Sequence, residues 1–449
     1  MSHEAITFYH SLLDDQRALD AQADLNQFMK ERHLYFGTRP ICTVLRPCFY
    51  EPDDWTYLAR ETEQLLGAFA RAHRACMENP ALRAQLDLEP YEEELFNLNI
   101  GSVVPWSTSR LDSFFDPATR RLRFVEYNGE TPAGMGYADR LSEAFLDLDV
   151  MRRFGERYVV RSFTTMRSLL ATLLDIFKQW GGRGSPQIGI IDWSDVPTLN
   201  EHEMIREYLA ERHVRAVLAD PRTLEYRDGR LWAGDFRIDL IYKRVLCSEL
   251  IQRMGMENPI VYALRDRTVC MTNAFSAKLM AKKASFALLS DERNAWLFTE
   301  AERAAIEAHI PWTRRVEARK TTFHGEVIDL IPFIAENRHR LVLKPNDEYG
   351  GKGVTIGWET TDEDWDATLR SALTNPFVVQ ERVDAHYEPF PTVVDGRLAF
   401  GERLVDVDPY IYHGRTVGGC LTRLSSMTLL NVTAGGGSLA PTFVVMKKR

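Results

Sequence analysis

"LRFVEYNGETPAGMGY", residues 122–137, is an apolar run that ends in Glu126-Tyr127-Asn128 and then turns through a proline and three glycines. Alternation along an extended chain puts Glu126 and Asn128 on one face. Just upstream, "SRLDSFF" (109–115) and "RLRFVEY" (121–127) flank the turn sequence "DPATRR". That pattern predicts an antiparallel hairpin, which brings Asp112 to the same face. Two carboxylates and an amide oxygen are hard donors suited to Mg²⁺, which shares its other positions with phosphate and water. Arg110 should project beside them. Taken alone, the stretch also fits an ordinary solvated hairpin.

The chain has 449 residues, enough for about two to three domains. Hydrophobic content of 45% and charged content of 27% belong to a globular protein with a large core. The net charge of −9 argues against a nucleic-acid surface, though a local basic pocket for a phosphorylated ligand is allowed. Six scattered cysteines form no CxxC pair, so reduced thiols and a cytoplasmic location are expected. The N-terminus lacks the apolar core of a signal peptide, and no stretch approaches the roughly 20 apolar residues that span a bilayer. No HExxH is present, so zinc-hydrolase chemistry has no support. A homodimer is compatible with the sequence.

Four regions follow. Residues 1–95 read as mainly helical; "DDWTYLARETEQLLGAFARAHRACM" puts Trp55, Leu58, Leu65, Leu66 and Phe69 near one face, with Asp53 or Asp54 as N-cap. Residues 96–180 hold the hairpin and following helices, including one predicted over 157–180. "GGRGSP" at 181–186 is the best linker candidate. Residues 186–265 alternate strand and helix as a Rossmann-like α/β unit without a GxGxxG fingerprint. In that unit Lys243 and Arg244 read as a solvated strand end.

The region 266–449 carries the remaining chemistry. Lys283 lies in "NAFSAKLMAKKASFALLSDE", read as a helical run rich in lysine. Lys344 ends an apolar strand and precedes "PNDEYGGKG", whose Gly350, Gly351 and Lys352 suit a loop that closes over phosphates. This is not a Walker A loop. "PFVVQERV" is a short buried strand. Arg423 in "LTRLSS" could bind a substrate carboxylate or phosphate, and Asn431 is a second metal candidate.

The order of a first lysine, a second lysine before a glycine loop, and an apolar strand running into an acid resembles the ATP-grasp superfamily. The resemblance maps Lys283 and Lys344 to phosphate contacts and Gln380, Glu381 and Val383 to the adenine-reading hinge. The four stretches "SRLDSFF", "FVEYNGETPAG", "VLKPNDEYGGKGV" and "FVVQERV", in that order, resemble the synthetase domain of glutathionylspermidine synthase and related circularly permuted ATP-grasp proteins, which carry their metal-ligand strands N-terminal to the lysine half. The loop departs from that family's R-E-G type, and nothing resembles a fused amidase.

The resemblance implies an α+β, α/β ATP-grasp fold in permuted order, with ATP and Mg²⁺ as cofactors. It implies Asp112, Glu126 and Asn128 as metal ligands and Arg110 at the reacting phosphate. The implied reaction joins a small-molecule or peptide carboxylate to an amine through an acyl phosphate. A kinase on the same fold, or a non-catalytic nucleotide- or peptide-binding protein, are the alternatives.

Overall fold

The computed structural model describes residues 2–98, 105–427 and 437–449. Asn431 lies outside the described residues.

The long N-terminal helix is Pro52–Glu78, and Trp55, Leu58, Leu65, Leu66 and Phe69 are buried on its inner face. Its start differs from expectation. Glu51 holds the N-cap position without a side-chain bond and Pro52 opens the first turn. A proline's fixed φ suits that position, so Asp53 and Asp54 fall inside the turn, where they face the positive end of the helix dipole. Residues 157–180 also differ. Tyr158–Arg161 is a strand and Thr165–Trp180 a helix. The β-branched pair Val159-Val160 registers with Met446 and Val445, in a sheet with Cys48–Tyr50, and tertiary pairing overrides helix extension there.

Residues 188–272 contain a parallel sheet in the order Cys270–Thr272, Leu240–Lys243, Ile188–Ile191, Ala216–Ala219. The α/β pattern expected over 186–265 is present, but its edge strand Cys270–Thr272 lies past that boundary, because parallel pairing with Leu240–Tyr242 extends the sheet. Its strands are short apolar runs, as burial on both faces requires. Beside it a three-stranded meander, Leu224–Ile238, packs Leu224, Leu231 and Ile238 into the same core.

The largest sheet is antiparallel. Its order is Gly437–Ala440, Thr416–Ser425, Arg397–Tyr412, Thr108–Asp116, Arg121–Asn128, with His386–Val394 also paired to Arg397–Tyr412. The predicted hairpin is therefore present, and it docks on the strand Arg397–Tyr412, whose Tyr410 lies 300 positions from its partner Arg110. A smaller antiparallel sheet, in the order Thr313–Arg315, Phe377–Glu381, Leu341–Pro345, Thr355–Ile356, has its own core around Trp312, Leu341, Leu343, Trp365 and Val379.

The turn after Asn128 is locked by close packing. Gly134 has φ +103°, and a Cβ there would lie 2.5 Å from the Tyr410 hydroxyl and 2.9 Å from Leu421 Cδ1. Next to it, one Glu201 oxygen accepts the Gly134 and Gly136 amides at 2.7 and 3.1 Å, capping the helix Met135–Asp147. Gly134→Ala combines a strained backbone with a collision in a packed core. It should lower unfolding free energy by about 2–4 kcal/mol, read as a shifted urea midpoint at unchanged slope.

Candidate active site

The hairpin, the Arg397–Tyr412 strand and Thr416–Ser425 present one charged face. Across the hairpin Arg110 stands opposite Asn128, and Asp112 opposite Glu126. Asp406 is opposite Arg423, and Tyr410 is opposite Arg110. Alternation along each strand thus collects these residues, with Asp408, on one surface.

Asp112 is the centre of that surface. Its Oδ1 accepts Arg110 Nε at 2.8 Å and Asn128 Nδ2 at 2.7 Å. Its Oδ2 accepts Arg423 Nη2 at 2.7 Å and Arg110 Nη2 at 3.3 Å. Arg423 also holds Asp406 through Nη2 at 2.6 Å and lies 3.1 Å from Asp408. Oxygens of Asp112, Asp406 and Asp408 all fall within 4.8 Å of one another. Burial alone would raise the Asp112 carboxyl, but Arg110 and Arg423 outweigh it and hold it below the usual range. Burial pushes Asp408 well up, with the charges of Asp112 and Asp406 adding to the effect. Three carboxylates facing two guanidiniums leave one excess negative charge, which works in the same direction as burial on Asp408.

Two lysines approach this face, Lys344 from the small sheet and Lys283 from the N-cap of the helix Ala284–Ser290. Asp112 pairs with Glu126 and Ser113 with Phe124, so Val125 is the extra residue of a bulge. A bulged residue is left out of the ladder. The Val125 carbonyl instead accepts Lys344 Nζ at 3.2 Å, and Lys344 also donates to Gln380 Oε1 at 2.7 Å. Burial lowers the Lys344 ammonium to about 8, although Glu126 opposes the shift. Lys283 Nζ lies 3.0 Å from Glu126 Oε1 and donates to the Glu348 carbonyl at 2.5 Å. Asn346 secures the start of the glycine loop: its carbonyl accepts the Lys283 amide at 3.0 Å, and its Oδ1 accepts Ala284 N at 2.8 Å.

The structure therefore brings Arg110, Asp112, Glu126, Asn128, Lys283, Lys344, Gln380 and Arg423 together. Gly350 and Gly351 have φ of +63° and +76° in the adjoining loop. Lys352 points to solvent and pairs with Glu348 at 3.1 Å. Glu381 turns outward to His324 at 2.9 Å. At the hinge the Glu381 and Arg382 amides donate to Trp312 and Arg340 carbonyls, whereas the Val383 amide makes no such bond among the described residues.

Two groups escape the sequence reading. Asp406 and Asp408 lie in "RLVDVDPYIY"; two acids spaced by two in an apolar strand were the available signal. The second group is a chain of buried charges. Glu130 binds Lys243 at 3.0 Å and Lys278 at 3.2 Å. Lys278 and Lys282 share Asp347, and Lys282 binds Glu92 at 2.8 Å. Burial would raise Glu130, but Lys243 and Lys278 pull it down to about 2. Lys243 and Arg244 are thus buried, not the solvated strand end expected. Arg244 Nη1 holds the Pro132 carbonyl at 2.5 Å, so both residues secure the turn that follows Asn128.

No protein-family model matches the chain. A protein of Frankia casuarinae with the provisional name glutamate–cysteine ligase 2-2 is 25% identical over 347 residues, 70% of this chain. The match spans 36% of that relative's own length. A glutathione synthetase-like effector of Globodera pallida, solved in its apo form, superposes with a TM-score of 0.62 at 12% identity, over 96% of this chain and 98% of that one. The likeness covers nearly all of the chain and shows that it shares the fold of that glutathione synthetase-like protein.

The charge assignment at the sheet face is open to test. Asp112→Asn leaves two buried guanidiniums without their shared anion and should cost about 3–5 kcal/mol. Asp408→Asn, at a carboxyl that burial pushes toward its neutral form, should cost less, under about 1 kcal/mol at pH 7. Chemical denaturation of the two isosteric variants reads the difference.

Proposed function

We propose that the protein is an ATP-dependent carboxylate–amine ligase, which forms an amide through an acyl phosphate and releases ADP and phosphate. The observation that carries this reading is the meeting of two lysines with the end of the hairpin, Lys344 at the Val125 carbonyl and Lys283 at Glu126. Two cations and an oxygen-donor strand around one cleft suit phosphoryl transfer, where positioning and charge neutralisation do most of the catalytic work. The provisional name of the Frankia relative points to the same class of reaction. The permuted order of the ATP-grasp elements, and a division of the chain at 1–95, 96–180, 186–265 and 266–449, belong to this proposal.

The donor chemistry selects which residues fit Mg²⁺. Asp112 fits poorly as a direct ligand, because four donors already occupy its two oxygens. Its role is to orient Asn128. A charged carboxylate can only accept, so the Asn128 NH₂ must face Asp112, and the Asn128 carbonyl oxygen accepts no hydrogen bond among the described residues. Glu126, half-buried and held by one lysine, offers the charged donor. Glu126 and Asn128 would hold the ion, with Asp112 behind them. Mg²⁺ bound there supplies charge neutralisation at the phosphate oxygens.

The remaining steps belong to the chain's own groups. Lys283 and Lys344 take the phosphates, and Lys283 exchanges its Glu126 partner for them. The Val383 amide serves adenine, and Gln380 holds Lys344 in place. The substrate carboxylate attacks the γ-phosphorus, and the amine then displaces phosphate from the acyl phosphate. Arg110 has most of its donors committed to Asp112 and the Ala133 carbonyl. It therefore acts as a fixed positive charge near the developing oxyanion, with Arg423 beside it. The glycine loop excludes water from the acyl phosphate.

The decisive experiment is calorimetric titration with a non-hydrolysable ATP analogue, with and without Mg²⁺. Mg²⁺ should tighten binding to the wild type, and Glu126→Ala/Asn128→Ala should abolish that enhancement. Loss of all nucleotide binding in the wild type would end the ligase reading. Where binding holds, ADP release is followed over panels of carboxylates and amines.

Protonation of Lys344 gives a second test. Its ammonium, lowered to about 8, is charged at pH 7 and mostly neutral at pH 9. Phosphate binding needs the charged form, so each unit above 8 should weaken analogue affinity by up to about tenfold. Lys344→Arg, charged throughout, should flatten that dependence between pH 7 and 9.

A further inference from the structure

The glycine loop reaches further than the nucleotide lobe. Asp347, 30% exposed at its side chain, sits between Lys278 Nζ at 2.5 Å and Lys282 Nζ at 3.4 Å. One residue on, Lys283 holds the Glu348 carbonyl. Tyr349 then extends outward, 62% exposed, and its hydroxyl donates to Glu249 Oε1 at 3.1 Å. Glu249 lies on the helix Cys247–Met254 of the Rossmann-like unit. Its other oxygen accepts Trp193 Nε1 at 2.8 Å, two residues past the strand Ile188–Ile191. Trp193 is buried, so the carboxylate that receives Tyr349 is itself fixed to the core of that unit.

A cavity of about 350 Å³ undercuts the loop, lined in part by Lys282, Pro345, Asp347, Glu348, Lys352 and Gly353. Its backbone bends through Gly350, Gly351 and Gly353, all at positive φ. Polar contacts at Asp347 and Tyr349 tie it to neighbouring elements, and a segment tied in this way opens when they release.

We infer that Tyr349 and Glu249 form a latch that holds the glycine loop closed across the cleft between the nucleotide lobe and the Rossmann-like unit. What the loop encloses rests on the ligase reading above; the latch itself does not. Asp347 fixes the root of the loop and Tyr349 its tip, so Tyr349 is a positioning residue for the proposed phosphate loop. Occupancy of the cleft beside Trp193 and the 247–254 helix then sets how firmly the loop closes.

Trypsin reads the latch directly. Lys352, with 75% of its side chain exposed, precedes Gly353 within the loop. Cleavage there yields a 1–352 fragment that mass spectrometry identifies. Cleavage after the exposed Arg183, in "GGRGSP", serves as the internal reference. Tyr349→Phe removes one hydroxyl from an exposed ring and leaves the fold intact. It should speed cleavage after Lys352, relative to Arg183, by about two- to tenfold, the worth of one hydrogen bond. Glu249→Ala should give a similar increase, and the double variant no more than either single one. An unchanged ratio in Tyr349→Phe, or fully additive increases, would overturn the latch. A Mg²⁺–ATP analogue added to the wild type should slow cleavage after Lys352. Faster cleavage in the variants with no analogue binding in any of them would retain the latch and remove the ligase reading. Analogue binding with an unchanged ratio would do the reverse.

Discussion

Asp112 is the anion on which the charged face depends. Two guanidiniums and an amide converge on its two oxygens from three strands, and none of the four donors would sit there without it. Burying Arg110 and Arg423 without a shared carboxylate would be prohibitive in a sheet interior. With it, Arg423 is fixed against Asp406 and Asp408, Arg110 against the Ala133 carbonyl, and Asn128 in a single amide orientation. A residue that reads as a metal ligand in the sequence thus organises the groups around it. That role is invisible in a linear motif, because it depends on Arg423, 311 positions away.

Much of the fold was legible because it rests on local periodicity. The hairpin, the Rossmann-like strands, the long helix face and the short buried strand at 377–381 all follow from alternation or a 3.6-residue repeat. The misplacements have a common cause. Tyr158–Arg161 is a strand because Thr442–Lys447, at the far end of the chain, pairs with it. Asp53 and Asp54 lost the cap to the position fixed by Pro52. The lysine run 278–283 is not one helix; it breaks after Ala281, and Lys283 becomes the cap of Ala284–Ser290. In that position its side chain turns to Glu126 and not to solvent.

The site was legible in residue type and only half legible in arrangement. Lys283, Lys344, Glu126 and Asn128 sit close together, as the ordered motifs suggested. The bulge at Val125 was not foreseeable, yet it supplies the carbonyl that holds Lys344 between the two sheets. The same holds for the charge chain from Lys243 to Glu92. Each member looks like a surface ion in sequence, and Lys243, Glu130, Lys278, Lys282 and Glu92 are buried because an opposite charge from another region meets each of them. Charge balance across distant segments is a tertiary property, and one sequence gives no rule for pairing the partners.

That chain of buried ions also explains why the turn "NGETPAG" is so compact. Glu130 must reach Lys243 on one side and Lys278 on the other while its neighbours receive Arg244, Arg110 and the Tyr410 hydroxyl. A longer or looser turn would leave at least one of these cations unpaired in the interior, at a cost of several kcal/mol. The turn is therefore the joint at which the Rossmann-like unit, the lysine segment and the charged sheet face are held in register. Asp347 extends the same ion chain into the glycine loop, so the loop's root is tied to the joint that positions Asn128. Displacement of the loop and disturbance of the hairpin end are coupled through Lys278 and Glu130. A ligand that pulls on Lys283 or Asp347 acts, by the same contacts, on the strand that carries Glu126.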